Sequence, residues 1–331
     1  MADELELLRR ANPVPADGPH FGDGPLDHTA ERHLDRLLRD RPAAPRRPTR
    51  GRLAWGLAAS AVVAALVSAL LLTGQTTAPA VAAPRPLVVR ADSTPVSLKT
   101  LAERARADAK DGAPELRKGT HVQSWSMGMS EDKPPITLPE ERIVRWNADD
   151  SHTEIVVATD PRHPGRPVLV EGGGEPRVVD DGHVLSRQTY PPSWSDAPPA
   201  APPPHDSVRL SAYLEEAVRA YLSDHSKPLS TSELLDATET LLDRWTLGAR
   251  ESAALARLLA DTEGLRPVGR VTDRLGRSGQ AYVYETSGTR RMLIMDPGTG
   301  AVLGLETTFT RAEPEYGVKA GDVMSYSAWM R

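Results

Sequence analysis

One uninterrupted apolar run predicts a membrane-spanning helix. Residues 53–73, LAWGLAASAVVAALVSALLLT, contain no charged side chain, although 26% of all residues are charged. An α-helix of this length extends over about 31 Å, which matches the hydrocarbon core of a bilayer. We therefore expect a single transmembrane helix at 53–73, followed by a linker at 74–95.

Beyond the linker, helical and strand-like periodicities follow one another through residues 96–331. Apolar positions recur at helical spacing in 96–110, 208–223, 230–247 and 251–260, and Ser230 with Glu233 forms a capping-box pattern. Strand-like alternation bounded by turn residues occupies two other blocks. These blocks predict strands at 121–129, 142–147, 154–159, 168–171, 177–180 and 184–190, then at 269–273, 280–285, 291–296 and 301–310.

These elements predict an α+β domain with an antiparallel, curved, half-barrel-like sheet packed with helices. The first block of strands is typical of a meander, with a favoured hairpin turn at Asp181 and Gly182. A short C-terminal sheet is not stable alone, so we expect the second block to extend the first, with the helices on one face. Seven prolines at 191–204 predict an extended connection.

One face of the first predicted strand is strongly apolar. Trp125, Met127 and Met129 alternate along it and form a candidate apolar binding face. The alternative is a core position, because a strand buries one face by default.

The charges that flank the apolar run predict its orientation. Five arginines, at 41, 46, 47, 50 and 52, precede it, whereas residues 74–84 carry no charge. The positive-inside rule then places residues 1–52 in the cytoplasm and residues 74–331 outside the cell membrane. Ala80, Val81 and Ala82 resemble a signal-peptidase site, which leaves cleavage open, but residues 1–52 are longer than the usual leader of a signal peptide.

The N-terminal segment, residues 1–52, predicts a largely disordered tail with two short helices. Its Pro- and Gly-rich middle separates two leucine stripes that are too short to form a core. The tail is either disordered or folds against a cytoplasmic regulatory protein. The candidate docking residues are Leu5, Leu8, Leu34, Leu37 and Leu38.

Small residues recur at every fourth position of the apolar run. Gly56, Ser60, Ala64 and Ser68 form a candidate stripe for self-association of two spans. An alanine-rich helix from a high-GC genome would show the same spacing by composition alone.

Composition and motifs argue against an enzyme. The chain has no cysteine and a net charge of -5, which excludes disulfides and cysteine-ligated zinc and shows no basic face for nucleic acid. The nine histidines show no metal-ligand spacing, and the aspartate pairs at 149–150 and 180–181 are typical of turns. We expect no catalytic residue, cofactor or metal.

Several stretches of the chain carry a resemblance to known proteins. The opening residues 4–15, ELELLRRANPVP, the Pro- and Arg-rich stretch, the single apolar run and MDPGTGAVL at 295–303 resemble an uncharacterised family of actinobacterial single-pass membrane proteins. Members of that family are often encoded beside extracytoplasmic-function sigma factors, so the resemblance implies a regulatory or envelope role. The order of elements also resembles the half-barrel of lipoprotein carriers and of sensor domains that bind anti-sigma factors.

The combined interpretation is a single-pass, membrane-anchored envelope protein that senses or binds a ligand through its outer domain, in sigma-factor-linked signalling. The alternative is a membrane-tethered carrier of a lipid or another hydrophobic ligand, which needs a cavity of at least ~300 Å³ between the sheet and the helices.

Overall fold

The computed structural model describes residues 84–172, 175–192, 201–218 and 227–331, and in this part of the chain four α-helices pack against one large antiparallel sheet. The α+β class predicted from periodicity is confirmed. The helices are α1 (Leu98–Asp108), α2 (Ser207–Val218), α3 (Thr231–Leu242) and α4 (Ala249–Ala260). The strands are β1 (Arg117–Ser130), β2 (Lys133–Trp146), β3 (His152–Ala158), β4 (Val168–Val170), β5 (Arg177–Val179), β6 (His183–Tyr190), β7 (Trp245–Thr246), β8 (Arg266–Thr272), β9 (Ser278–Glu285), β10 (Thr289–Met295), β11 (Val302–Phe309) and β12 (Val323–Trp329).

The large sheet joins both blocks of strands. Its order is β6-β3-β2-β1-β12-β11-β10-β9-β8, with β7 added to the start of β1, and it is open, with β6 and β8 at its edges. β1 pairs with β12 from Val122, opposite Trp329, to Ser126, opposite Ser325. The expectation that the C-terminal strands extend the first block is therefore confirmed.

The strand that makes this connection, β12, was not predicted from the sequence. Its sequence VMSYSAW alternates, but serine at two of its seven positions weakens the apolar signal on which strand prediction depends. The two-residue β7 was missed as well, because residues 245–246 were predicted as the end of the helix at 230–247, which ends at Leu242 in the structure.

β2 is much longer than its predicted core at 142–147. It begins at Lys133 and contains Pro134, Pro135 and Pro139, which argue against a strand when the sequence is read alone. The pairing of β2 with β3 extends only from Glu140 to Trp146, so the prolines lie where β2 has β1 as its neighbour and a free second edge. Proline is tolerated there because its missing N–H is not needed.

The predicted meander is wrong at its end. β4 and β5 pair only with each other, as a separate two-stranded sheet, and β6 returns to pair with β3. The turn at Asp181 and Gly182 therefore connects β5 to β6 without forming the expected hairpin. A favoured turn dipeptide sets the local backbone, but not the partner of the strand that follows it.

The helices pack on one face of the sheet. The main core combines buried residues of all four helices with sheet residues such as Val122, Tyr282, Leu293 and Trp329. α3 begins with the predicted capping box: the Glu233 N–H donates to Ser230 Oγ at 3.3 Å, and the Ser230 N–H donates to Glu233 Oε2 at 2.7 Å. The predicted helices at 96–110 and 251–260 are confirmed, with ends that shift by one or two residues.

The predicted span at 53–73, the self-association stripe and the leucine stripes of residues 1–52 lie outside the described residues. Within the described residues, every helix is too short or too polar to cross a bilayer.

The main core predicts that alanine substitution of two aliphatic residues on neighbouring helices lowers the free energy of unfolding by very different amounts. Leu235 on α3 is 0% exposed, whereas Val208 on α2 is 78% exposed. We expect Leu235→Ala to lower the free energy of unfolding by about 2–5 kcal/mol, because it leaves a cavity between α3 and its neighbours. Val208→Ala, the matched control, should stay within about 0.5 kcal/mol of the parent in urea denaturation. Equal effects of the two substitutions would contradict the placement of α3.

Candidate functional site

The second face of the sheet, opposite the helices, has its own core. It contains Trp125, Tyr326, Met292, Ile294 and neighbouring small residues, and none of its members comes from a helix. The rings of Trp125 and Tyr326 lie 5.5 Å apart on adjacent strands, at a tilt of 52°. This face is therefore a buried surface that something other than the helices must cover.

A loop covers Trp125. The guanidinium of Arg162 lies 5.2 Å from the centroid of the Trp125 ring and is fixed by Asp160, whose Oδ2 accepts from Arg162 Nη2 at 2.7 Å. Burial of Asp160 opposes its ionisation, but hydrogen bonds from Arg162 and His163 outweigh burial and lower the pKa of this carboxyl. Trp125 is 1% exposed as a result.

The structure separates the three residues of the candidate apolar binding face. Trp125 lies in the second core, Met127 is half-buried and Met129 is 39% exposed. Met324 on β12, which is also exposed, precedes Ser325, the partner of Ser126 on β1. The accessible part of this face is therefore a small group of methionines at the ends of β1 and β12, without the tryptophan.

Residues 84–96, which we call the docking segment, cover the rest of the second face. Leu87 and Val89 pack against the second core, while Val88 between them is exposed. These residues belong to the predicted linker at 74–95, but the structure places them on the sheet. The sequence signal is the short apolar run Leu87-Val88-Val89, which is too short to distinguish from a linker.

A buried ion pair holds the start of the docking segment. Arg274 and Glu306 form a charge-assisted hydrogen bond, and both side chains are almost fully buried. Glu306 Oε1 also accepts from the Leu87 N–H at 2.8 Å, and Arg274 Nη2 donates to the Arg85 carbonyl at 3.0 Å. Burial raises the pKa of Glu306, although Arg274 and the Leu87 amide favour its charged form.

The docking segment then passes around the free edge of β8. The Arg90 N–H donates to the Arg270 carbonyl, and the Arg270 N–H donates to Ser93 Oγ, both at 2.8 Å. A side chain at Gly269, which has φ +120°, would lie 2.5 Å from Ser93 Oγ. These contacts cover part of a sheet edge that would otherwise be open to pairing with another chain.

A second buried cation connects a helix to the sheet. Arg291 on β10 donates to Asp236 Oδ1 at 2.6 Å and to Glu239 Oε2 at 2.8 Å, both on α3. Burial raises the pKa of Glu239 to about 7, against the opposing effect of Arg291, and the nearby carboxylates of Asp243 and Asp236 add to the rise.

The aspartate pairs of the sequence serve turns. Asp149 Oδ1 accepts from the backbone and side chain of Ser151, and Asp181 accepts from the Thr159 hydroxyl and the Gly165 N–H. Asp150, the second member of the first pair, forms an ion pair with Lys118 at 2.6 Å. Among the described residues, no three histidine, aspartate or glutamate side chains are grouped as metal ligands.

Two cavities lie beside the helices. One, of about 590 Å³, is bounded by α1, α4 and the start of α2, and its walls include Glu103, Arg106 and Asp206. The other, between the sheet and the helices near Leu242 and Trp329, has only about 20 Å³. That volume holds about one water molecule, so the helix face is filled by side chains at this point.

No protein-family model matches the chain, and no curated protein is significantly similar to it.

The raised pKa of Glu239 predicts a pH-dependent stability. A glutamate with a pKa of 4.5 when unfolded and about 7 when folded binds more protons in the folded state between these values. Its contribution is therefore fully present below about pH 4.5 and is lost as the pH rises through about 7. We expect Glu239→Gln to flatten the decline of the unfolding free energy across this window, measured by urea denaturation at several pH values. Glu263→Gln, at an exposed site, should leave the parent slope unchanged.

The ion pair predicts how firmly the docking segment is held. Glu306→Gln removes the charge that pairs with Arg274, and we expect faster amide hydrogen exchange at Leu87 and its neighbours because the acceptor of the Leu87 N–H weakens. The control is Glu285→Gln, which alters an exposed ion pair. Glu306→Gln also leaves the buried Arg274 unpaired. The double variant Arg274→Met with Glu306→Leu therefore removes both members of the ion pair and leaves no unpaired buried charge. Unchanged exchange of the segment in both variants would show that the ion pair does not hold it.

Proposed function

We propose that this protein is a single-pass, membrane-anchored envelope protein whose outer α+β domain senses or binds a ligand and is mechanically connected to the span. The apolar run at 53–73 and the five arginines before it support the anchor and its orientation. The open antiparallel sheet with helices on one face fits the proposed half-barrel-like architecture.

The docking segment is the observation that carries this proposal. Only residues 74–83 separate the proposed span from the docking segment, and ten residues bridge at most about 35 Å. The domain is thereby held close to the membrane surface. Because Arg85 is fixed to Arg274 in the turn between β8 and β9, and Leu87 to Glu306 on β11, a change at the second face would reach the chain that enters the membrane.

The proposed partner of the cytoplasmic tail is a regulatory protein. The leucines at 5, 8, 34, 37 and 38 would provide its docking surface, and the small-residue stripe at 56, 60, 64 and 68 would allow two spans to associate. In this arrangement, a conformational change in the tail or in the outer domain is transmitted to the other through the span.

The carrier alternative has less support from the described residues. It needs an apolar cavity between sheet and helices, and the cavity found there, of about 20 Å³, is far smaller than a lipid chain requires. The larger cavity beside the helices has charged walls.

The absence of cysteine permits a clean test of the anchor and its orientation. In intact cells, a membrane-impermeant maleimide should label the Glu175→Cys variant, whose site is exposed in the outer domain, and should label the Asp17→Cys variant only after permeabilisation. Val62→Arg with Val67→Arg should release the protein from membranes, because each charge costs about 2.5–3.5 kcal/mol at the centre of a span. Val62→Leu with Val67→Leu is the matched control.

Labelling of the Asp17→Cys variant in intact cells, or a soluble parent protein, would contradict the proposal. For the regulatory half, a partner crosslinked to the tail in membranes should be lost when Leu34, Leu37 and Leu38 are replaced by alanine. A tail that crosslinks no specific partner would contradict the proposed regulatory role but not the proposed membrane anchor.

A further inference from the structure

The neighbour of β1 changes along its length, and a cavity opens beside the change. Arg117–Gly119 pair with β7, whereas the pairing with β12 begins at Val122. The cavity between these pairings has a volume of about 430 Å³, within the range of small-molecule sites. We call it the basic cavity.

The walls of the basic cavity carry one sign of charge. They include Arg117, Lys118, Arg145 and Arg331, and no aspartate or glutamate is among the residues that line it. This concentration contrasts with the chain as a whole, whose net charge is -5. The larger cavity beside the helices differs, because Glu103 and Asp206 stand among its cations.

Two of these cations have no partner among the described residues. Lys118 pairs with Asp150 at 2.6 Å, and Arg331 donates to Ser252 Oγ at 2.8 Å. The side chains of Arg117 and Arg145 form neither a hydrogen bond nor an ion pair with any described residue. Two guanidinium groups are therefore available to an anion that enters the cavity.

The apolar wall of the basic cavity is rigidly supported. Trp146 stacks on His152 at 4.2 Å and 18°, and His152 stacks on Tyr190 at 4.6 Å and 17°, in a row across β2, β3 and β6. Lys118 Nζ lies 3.8 Å from the centroid of the Trp146 ring, which continues the row onto β1. Burial lowers the pKa of His152, which favours the neutral form of this ring.

Gly119 on β1 lines the cavity without a side chain. Gly119 has φ +108°, and a Cβ at this position would lie 2.3 Å from the Val144 carbonyl oxygen. A side chain is therefore excluded, and the close approach of β1 to β2 beside the cavity requires glycine at this position.

From these features we infer that the basic cavity binds a phosphate ester. Guanidinium groups bind phosphate through paired, charge-assisted hydrogen bonds, and arginines from different strands suit an anion that carries more than one negative charge. The volume exceeds what a phosphate group needs, so the ester's organic part would lie against Ile143 and the edge of the Trp146 ring, whose faces are covered by His152 and Lys118. This inference goes beyond the proposed membrane anchor and does not depend on the orientation of the span.

The test is calorimetric titration of the full-length protein in neutral detergent with glycerol 3-phosphate. We expect saturable binding. Arg117→Gln and Arg145→Gln should each lower the affinity by about tenfold or more, because each substitution removes one guanidinium group that binds the phosphate. Arg187→Gln, at an exposed arginine on β6, is the matched control and should bind like the parent. Neither cavity arginine has a polar partner in the described fold, so thermal unfolding of both variants should match that of the parent.

The outcomes separate the alternatives. Absence of saturable binding, or binding that ignores both cavity substitutions, would overturn the site. Equal affinity for glycerate, which carries a carboxylate in place of the phosphate, would overturn the assignment to phosphate. Competition by phosphatidic acid, a lipid whose headgroup is a phosphomonoester, added to the micelles would identify a lipid headgroup as the source of the phosphate, and its absence would identify soluble esters.

Discussion

The antiparallel pairing of β1 with β12 is the constraint on which the rest of the structure depends. It joins Val122 to Trp329, about two hundred residues apart, and without it the strands would form two separate sheets. Closing so long a loop carries an entropic cost. Apolar burial offsets this cost on both faces of the sheet, between Trp125 and Tyr326 on one face and between Val122 and Trp329 on the other. The basic cavity opens where this pairing stops.

The two faces of the sheet are covered in different ways, and this difference gives the N-terminal part of the domain its importance. Four helices fill one face with a continuous core, whereas the other face depends on an irregular loop and on the docking segment. The residues that follow the proposed span are therefore part of the fold. If the proposed span precedes it, a rearrangement of that face would also move the segment that joins the domain to the span.

Local periodicity predicted the helices, most strands and the α+β class, because those signals come from neighbouring residues. The elements that it missed depend on distant ones. β12 has two serines that only its position between β1 and β11 explains, and the prolines of β2 are tolerated because β3 ends before reaching them. The candidate site was largely hidden for the same reason: Leu87 meets Glu306 at a separation of 219 residues. Arg117 and Arg145 come together only through strand register.

The ion pair that holds the docking segment affects how strongly the segment is bound to the sheet. A buried ion pair contributes little net stability, because removing two charges from water offsets most of their attraction. Residues 84–87 bury Arg274 and Glu306 in the observed structure. If the segment left, both side chains would regain water and keep each other as partners. The free-energy difference between the docked and undocked states is therefore smaller than an apolar contact of the same size would give. A small difference is what the proposed tether would need if modest events at this domain were to change the proposed span.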